Sequence, residues 1–222
     1  MEKSRNLKSV DVDLIIFDLD GTLVDSKRDI IDAVNHMLRK LDLKEKTDKE
    51  ITGYIGWGVE ALIEDSLGAE NSKLKDEALA IFKKYYGKHA TDKTILYPGV
   101  KETLGYLKDK KKVIITNRNY EFTVSTLEAF KIREYFDHIE GGDNIKCAKP
   151  SPCPLEKVIN KFGAEKKRSI MIGDMHIDIL SGKKSGIITC GVTYGIGKKK
   201  DIIEAGPDYI INSMPELKEI IR

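Results

Sequence analysis

Asp18 and Asp20 stand two residues apart in Phe17-Asp18-Leu19-Asp20-Gly21-Thr22, directly after the apolar run Leu14-Ile15-Ile16-Phe17. On an extended chain alternate side chains share a face, so both carboxylates point the same way. A strand interior would exclude such a pair, whereas a strand end can present it to a crevice, with Gly21 offering a turn and a bare backbone amide. An Asp-Gly turn that merely closes a strand has the same letters. Three later clusters carry complementary groups. Thr116-Asn117 offers a hydroxyl, an amide and free N–H groups that could hold phosphate oxygens, or a helix cap. Lys149-Pro150 brings an ammonium, a group usually found at the surface. Gly173-Asp174, with Asp178 four residues on, brings two more carboxylates; Asp174 could instead cap the next helix and Asp178 face solvent.

The elements that must position these groups are legible in the hydrophobic pattern. Short β-branched runs occur at Leu14–Phe17, Val113–Thr116, Ser169–Ile172, Ile187–Cys190 and Tyr209–Ile211, with a weaker one at Phe136–Ile139. Apolar runs without polar alternation read as strands buried on both faces, as in a parallel sheet. Segments of helical period lie between them: Phe122–Phe130, Leu155–Phe162 and Ile177–Lys184. Strands alternating with helices predict an α/β fold with a doubly wound, mainly parallel, Rossmann-like sheet. In such sheets the ligand crevice lies beyond the carboxyl ends of the strands, where the four clusters fall. The alternation breaks once, between the first strand and the second. Asp29–Leu41, Val59–Leu67 and Leu74–Tyr86 read there as successive helices, with Ser26 and Asp29 resembling a capping box. A helical insert at 26–96 is therefore expected, with 1–25 and 97–222 forming the α/β core.

Asp18, Asp20, Asp174 and Asp178 together carry four negative charges, and converging uncompensated they would repel strongly. Mg²⁺ with Lys149 supplies three positive charges, and Mg²⁺ suits one or two carboxylates, waters and a substrate phosphate oxygen. The ordered set Phe17-Asp18-Leu19-Asp20-Gly21-Thr22-Leu23-Val24-Asp25-Ser26, Thr116-Asn117, Lys149-Pro150 and Gly173-Asp174-x-x-x-Asp178 resembles the four motifs of the haloacid-dehalogenase-like hydrolases. The resemblance spans the chain and includes the insert, which matches a C1 cap; the nearest subgroup is phosphoglycolate phosphatase-like. It implies that Asp18 attacks phosphorus, that Asp20 protonates the leaving oxygen and then activates water, and that Thr116 binds the phosphoryl group with amides near Asn117 and Gly21. It further implies that Lys149 neutralises charge, that Asp18, the Asp20 carbonyl and Asp174 bind Mg²⁺, and that Asp178 orients water or Lys149. Asp20 favours a phosphatase over relatives that lack this second Asp. The substrate implied is a small phosphorylated metabolite, phosphoglycolate first, with phosphomutase, pyrophosphatase or a catalytically silent binding protein as alternatives.

Gly53-Tyr54-Ile55-Gly56-Trp57-Gly58 is the most distinctive stretch of the insert. Gly56 and Trp57 are candidates for substrate contact, or Trp57 and Tyr54 pack the insert's core. Arg118 either binds an anion or is solvated, and His176 reads as an exposed loop residue. A net charge of +2 in a chain that is 33% charged gives no field favouring nucleic acid or an anionic membrane. No apolar run is long enough to span a bilayer. Three cysteines without regular spacing, Cys147, Cys153 and Cys190, suit reduced thiols in the cytoplasm.

Overall fold

A computed structural model describes residues 9–143 and 148–222. Its centre is a six-stranded sheet built from β1 (Leu14–Phe17), β4 (Lys111–Ile115), β5 (His138–Glu140), β6 (Ser169–Gly173), β7 (Ile188–Val192) and β8 (Tyr209–Ile211). The strand order is β5-β4-β1-β6-β7-β8 and every pairing in it is parallel. The chain runs outward from β1 to β4 and β5, then returns to the other side of β1 for β6, β7 and β8. That reversal places a topological switch point beside β1 and opens a crevice at its carboxyl end.

Both faces of the sheet are covered, which explains the unbroken apolar runs. Ile15 and Phe17 join Ile114, Ile172 and residues of α5 (Val100–Tyr106) and α6 (Tyr120–Ala129) in one core. Leu14 and Ile16 face the other way and pack with Val113, Met171 and the Leu155, Val158 and Ile159 stripe of α7 (Cys153–Phe162). The two-residue period of β1 thus splits into two interiors. α8 (His176–Ser185), α9 (Lys199–Ala205) and α10 (Leu217–Ile220) complete the helical layers.

Between β1 and β4 the chain forms α1 (Lys27–Lys40), α2 (Asp48–Tyr54), α3 (Val59–Leu67) and α4 (Lys75–His89). These helices have a hydrophobic core of their own, with Val34, Met37, Ile63 and Phe82 among its buried members. A short antiparallel pair, β2 (Val24–Asp25) with β3 (Ile95–Leu96), joins the two crossings between sheet and helices. At two residues per strand, it carries no pattern that a sequence reading could detect.

The capping box expected at Ser26 and Asp29 does not form. Ser26 makes no side-chain cap to α1. Its hydroxyl donates to Asp20 Oδ1 instead, and Asp29 turns to the far end of the insert. There it accepts from Lys93 N at 3.0 Å, Thr94 N at 2.8 Å and Thr94 Oγ1 at 2.7 Å. A buried carboxylate with three donors outcompetes a local cap. The reciprocal box occurs at Thr47 and Glu50, at the start of α2. The reduced-thiol expectation holds at Cys190, which is free and buried, but not at Cys153, which is disulfide-bonded; Cys147 lies outside the described residues. An odd count hid the bond, because counting tests for a framework and not for a single pairing. Among the described residues no helix is long and apolar enough to cross a membrane.

Asp29 ties the entry of the helical insert to its exit, so Asp29→Ala should leave two backbone donors unpaired, the buried Thr94 N and the part-buried Lys93 N. We expect a loss of about 2–4 kcal/mol in urea denaturation; an unchanged midpoint would remove this tie from the account.

Candidate active site

β1 ends in Asp18, β4 in Thr116-Asn117 and β6 in Gly173-Asp174, so neighbouring strands deliver three of the four clusters to the same edge. Lys149 enters from the loop before α7. Its Nζ lies 2.8 Å from Asp18 Oδ1 and 2.7 Å from Asp178 Oδ1, with all three side chains buried or nearly so. Carboxylate oxygens of Asp18, Asp174 and Asp178 fall within 4.8 Å of one another. Asp174 Oδ2 accepts from Ile196 N at 2.8 Å and Gly197 N at 2.9 Å, and its Oδ1 accepts from Thr22 Oγ1 at 3.2 Å. Asp178 Oδ2 accepts from Met175 N at 3.0 Å. Gly21 has φ +83°, and a Cβ there would fall 2.1 Å from Asp174 Oδ2, so the turn after Asp20 admits only glycine.

The electrostatics follow from burial. Desolvation, opposed by Lys149 and reinforced by Asp178, pushes the Asp18 carboxyl up to about 7. Burial, then Asp18 and Asp178, hold Asp174 well above the ordinary carboxylate range. Burial pulls the Lys149 ammonium down, but Asp178 and Asp18 outweigh it and keep it protonated. Three carboxylates against one ammonium leave two negative charges without a partner, and a divalent cation fits that deficit and the all-oxygen donor set.

Asp20 is arranged differently. Its Oδ1 accepts from Ser26 Oγ at 2.5 Å and from Arg118 Nη1 at 2.9 Å. Arg118 is buried, so the solvated reading of this residue is wrong; its Nη2 also donates to Thr126 Oγ1 at 2.8 Å, and its guanidinium lies 5.1 Å from the Tyr86 ring centroid.

The sequence model of the haloacid dehalogenase-like hydrolases matches residues 15–192. The chain belongs to that family. Among curated proteins, this hydrolase is 35% identical over 210 residues to a phosphoglycolate phosphatase of Aquifex aeolicus, covering 94% of this chain and 96% of that one. It is 34% identical to the phosphoglycolate phosphatase of Pasteurella multocida, with 94% and 97% covered. Among solved structures, a predicted phosphoglycolate phosphatase from Haemophilus somnus superposes with a TM-score of 0.86 at 30% identity, over 94% of this chain and 97% of that one. The kinship of this hydrolase is thus to the phosphatases of its family.

The remaining candidates are sorted by the structure. Asn117 does not cap α6, where Asn119 holds the N-cap position. Its amide accepts from Lys149 N at 3.1 Å and donates to Lys149 O at 3.1 Å and Gly56 O at 2.9 Å, so one side chain joins β4, the lysine loop and the helical insert. Gly56 has φ +110° and gives its space to Met175, whose Sδ would sit 2.2 Å from a Cβ there. Asp18, Asp20, Thr116, Asn117 and Gly56 all line one chamber between insert and sheet. Trp57 does not line it. The indole is 44% exposed, meets His176 edge-on at 5.9 Å, and borders the neighbouring groove with Lys27 and Lys49. His176 is half-buried as the first residue of α8 rather than an exposed loop residue. Sequence reasoning missed Tyr86 and Phe122 as chamber residues, because their apolar spacing is equally that of a helix core.

Between pH 5 and about 7, the folded metal-free chain retains a proton on this cluster that the unfolded chain has released. Raising the pH through that window therefore destabilises the metal-free fold. Asp174→Asn removes one carboxylate from the cluster. In EDTA, its melting temperature should exceed that of the parent at pH 7 and converge toward it at pH 5. A gap that is constant or reversed would contradict the account.

Proposed function

We propose that this hydrolase is a Mg²⁺-dependent phosphatase of small phosphate monoesters, working through a phospho-aspartate on Asp18. The observation that carries the reading is the Lys149 ammonium held between Asp18 and Asp178, beside the third buried carboxylate, Asp174. Asp18 is the nucleophile: one carboxylate oxygen forms a bond to phosphorus as the bond from phosphorus to the leaving oxygen breaks. Lys149 offsets charge on Asp18 and on the transferring group, which favours the transition state in a dry site. Asp20, standing at the chamber wall beside Ser26 and Arg118, gives a proton to the leaving oxygen. It then takes a proton from the water that attacks the phospho-aspartate, so Asp18 and inorganic phosphate are released. Thr116, with backbone amides near Asn117 and Gly21, holds phosphoryl oxygens. Asp18, the Asp20 carbonyl and Asp174 would hold Mg²⁺, which when bound supplies charge neutralisation and polarises the phosphoryl oxygens. Asp178, with one oxygen on Lys149 and the other on Met175 N, orients the lysine rather than reacting.

The helical unit acts as a cap over residues 26–96, excluding water and reading the leaving group. Phosphoglycolate heads the substrate panel because the relatives are named for it.

Phosphate release from a panel of small esters should require Mg²⁺ and vanish in EDTA. Asp18→Asn should lower kcat by roughly a thousandfold or more. Appreciable turnover by that variant, or full activity in chelator, would overturn the reading. Asp20→Asn should slow both the formation and the hydrolysis of the intermediate, read as burst and steady-state rates; unchanged rates in both phases would exclude Asp20 as acid and base.

A further inference from the structure

The chamber beside Asp18 is small. Its cavity measures about 60 Å³, room for a handful of water molecules. Phe82 and Tyr86, both buried, close one side with stacked rings 5.2 Å apart. A second space adjoins it, the groove that Trp57 borders. The groove measures about 660 Å³ and has Lys27, Lys49 and Lys198 along it. Among the described residues, three line both spaces: Ile55, Met175 and Ile196. Three apolar side chains thus form the wall between a space for a few atoms and a space for a whole metabolite.

The three come from separate parts of the chain, and two of them are fixed by other duties. Ile55 follows α2 and is buried in the core of the insert. Ile196 stands in the loop after β7 and packs against that same core, while its N–H holds Asp174 Oδ2 at 2.8 Å. Met175 differs. Its backbone N–H is tied to Asp178 Oδ2 at 3.0 Å, but the residue is only half-buried. Two glycines make room for its side chain. A Cβ on Gly56 would fall 2.2 Å from Met175 Sδ, and one on Gly197 would fall 3.2 Å from Met175 Cγ. The thioether therefore fills a slot between the insert and the loop after β7. An unbranched side chain with three rotatable bonds suits such an irregular gap.

Resting on the phosphatase reading, we propose that Met175 sets specificity by size: its side chain is the partition that confines the leaving group to the chamber and bars it from the cationic groove. A two-carbon leaving group such as glycolate stays inside the wall. A longer one has to displace Met175, and the binding energy used for that no longer stabilises the transition state. Truncating Met175 joins the two spaces, so a long leaving group ending in a carboxylate gains the groove and its lysines.

The test is a chain-length series of ω-carboxyalkyl phosphates with Mg²⁺, from phosphoglycolate at two carbons up to six carbons. In the parent, kcat/KM should fall by about tenfold or more across the series, the discrimination an apolar wall gives against one methylene group too many. Met175→Ala should raise the six-carbon to two-carbon ratio of kcat/KM by about tenfold. Met175→Leu, which conserves the volume, should keep the parent's profile. A ratio unmoved in Met175→Ala, including an equal loss at every length, would overturn the inference. So would a parent that hydrolyses long and short esters alike, a result that needs no variant to fold. In each of these cases metal-dependent release from phosphoglycolate would leave the phosphatase reading standing. No phosphate release from any ester would overturn both.

Discussion

One ammonium lies between two carboxylates, with a third close by, in a place that is almost fully buried. Lys149 is 2.8 Å from Asp18 and 2.7 Å from Asp178, and Asp174 completes the cluster. Burying unpaired charge is among the most costly things a fold can do, so everything near this cluster is arranged around its balance. The lysine alone leaves the cluster short of two positive charges, a deficit that a divalent cation would fit, and burial, reinforced by the neighbouring carboxylates, raises Asp18 and Asp174. The parallel sheet meets the geometric side of the problem. Three adjacent strands end together, and only the loop before α7 has to be brought in from elsewhere.

Arg118 resolves a discrepancy in charge. Four aspartates against Mg²⁺ and Lys149 leave one negative charge over, and the sequence names no obvious group to meet it. The fold pairs Asp20 with buried Arg118 at 2.9 Å. Asp20 is thereby kept apart from the cluster of Asp18, Asp174 and Asp178 and held on the chamber side, where the proposed proton transfers occur. The same guanidinium leans over Tyr86 of the helical insert, so the acid, the strand β4 and the insert share one contact network. Asn117 makes a second link, from β4 to both Lys149 and Gly56. Closing the insert over the sheet and setting the charges are therefore coupled.

Much of this was readable from the chain. The apolar runs name every strand of the large sheet because strands buried on both faces leave a continuous hydrophobic signature. The four polar clusters stand out because carboxylates at strand ends conflict with burial unless they have work to do. What stayed hidden has physical reasons. Arg118 looks like any arginine after a strand, and only its tertiary partners Asp20, Thr126 and Tyr86 reveal it as interior. Ser26 and Asp29 have the spacing of a capping box, yet each finds another partner, Ser26 in Asp20 six residues back and Asp29 in Thr94 across the insert. Tyr86 and Phe122 keep helical core spacing whether they fill a core or wall a cavity. Trp57 is conspicuous by type, but its glycine-flanked turn directs it to the outer groove.

The central claim is that Asp18 itself takes the phosphoryl group. The most direct measurement is borohydride trapping during turnover, which reduces an acyl phosphate to an alcohol, followed by peptide mass analysis. The account predicts a modified peptide containing Asp18, formed only with Mg²⁺ and substrate and absent in Asp18→Asn. Sustained phosphate release with the Asp18 peptide unmodified, or the reduced carboxyl found at Asp20 or Asp174, would contradict it.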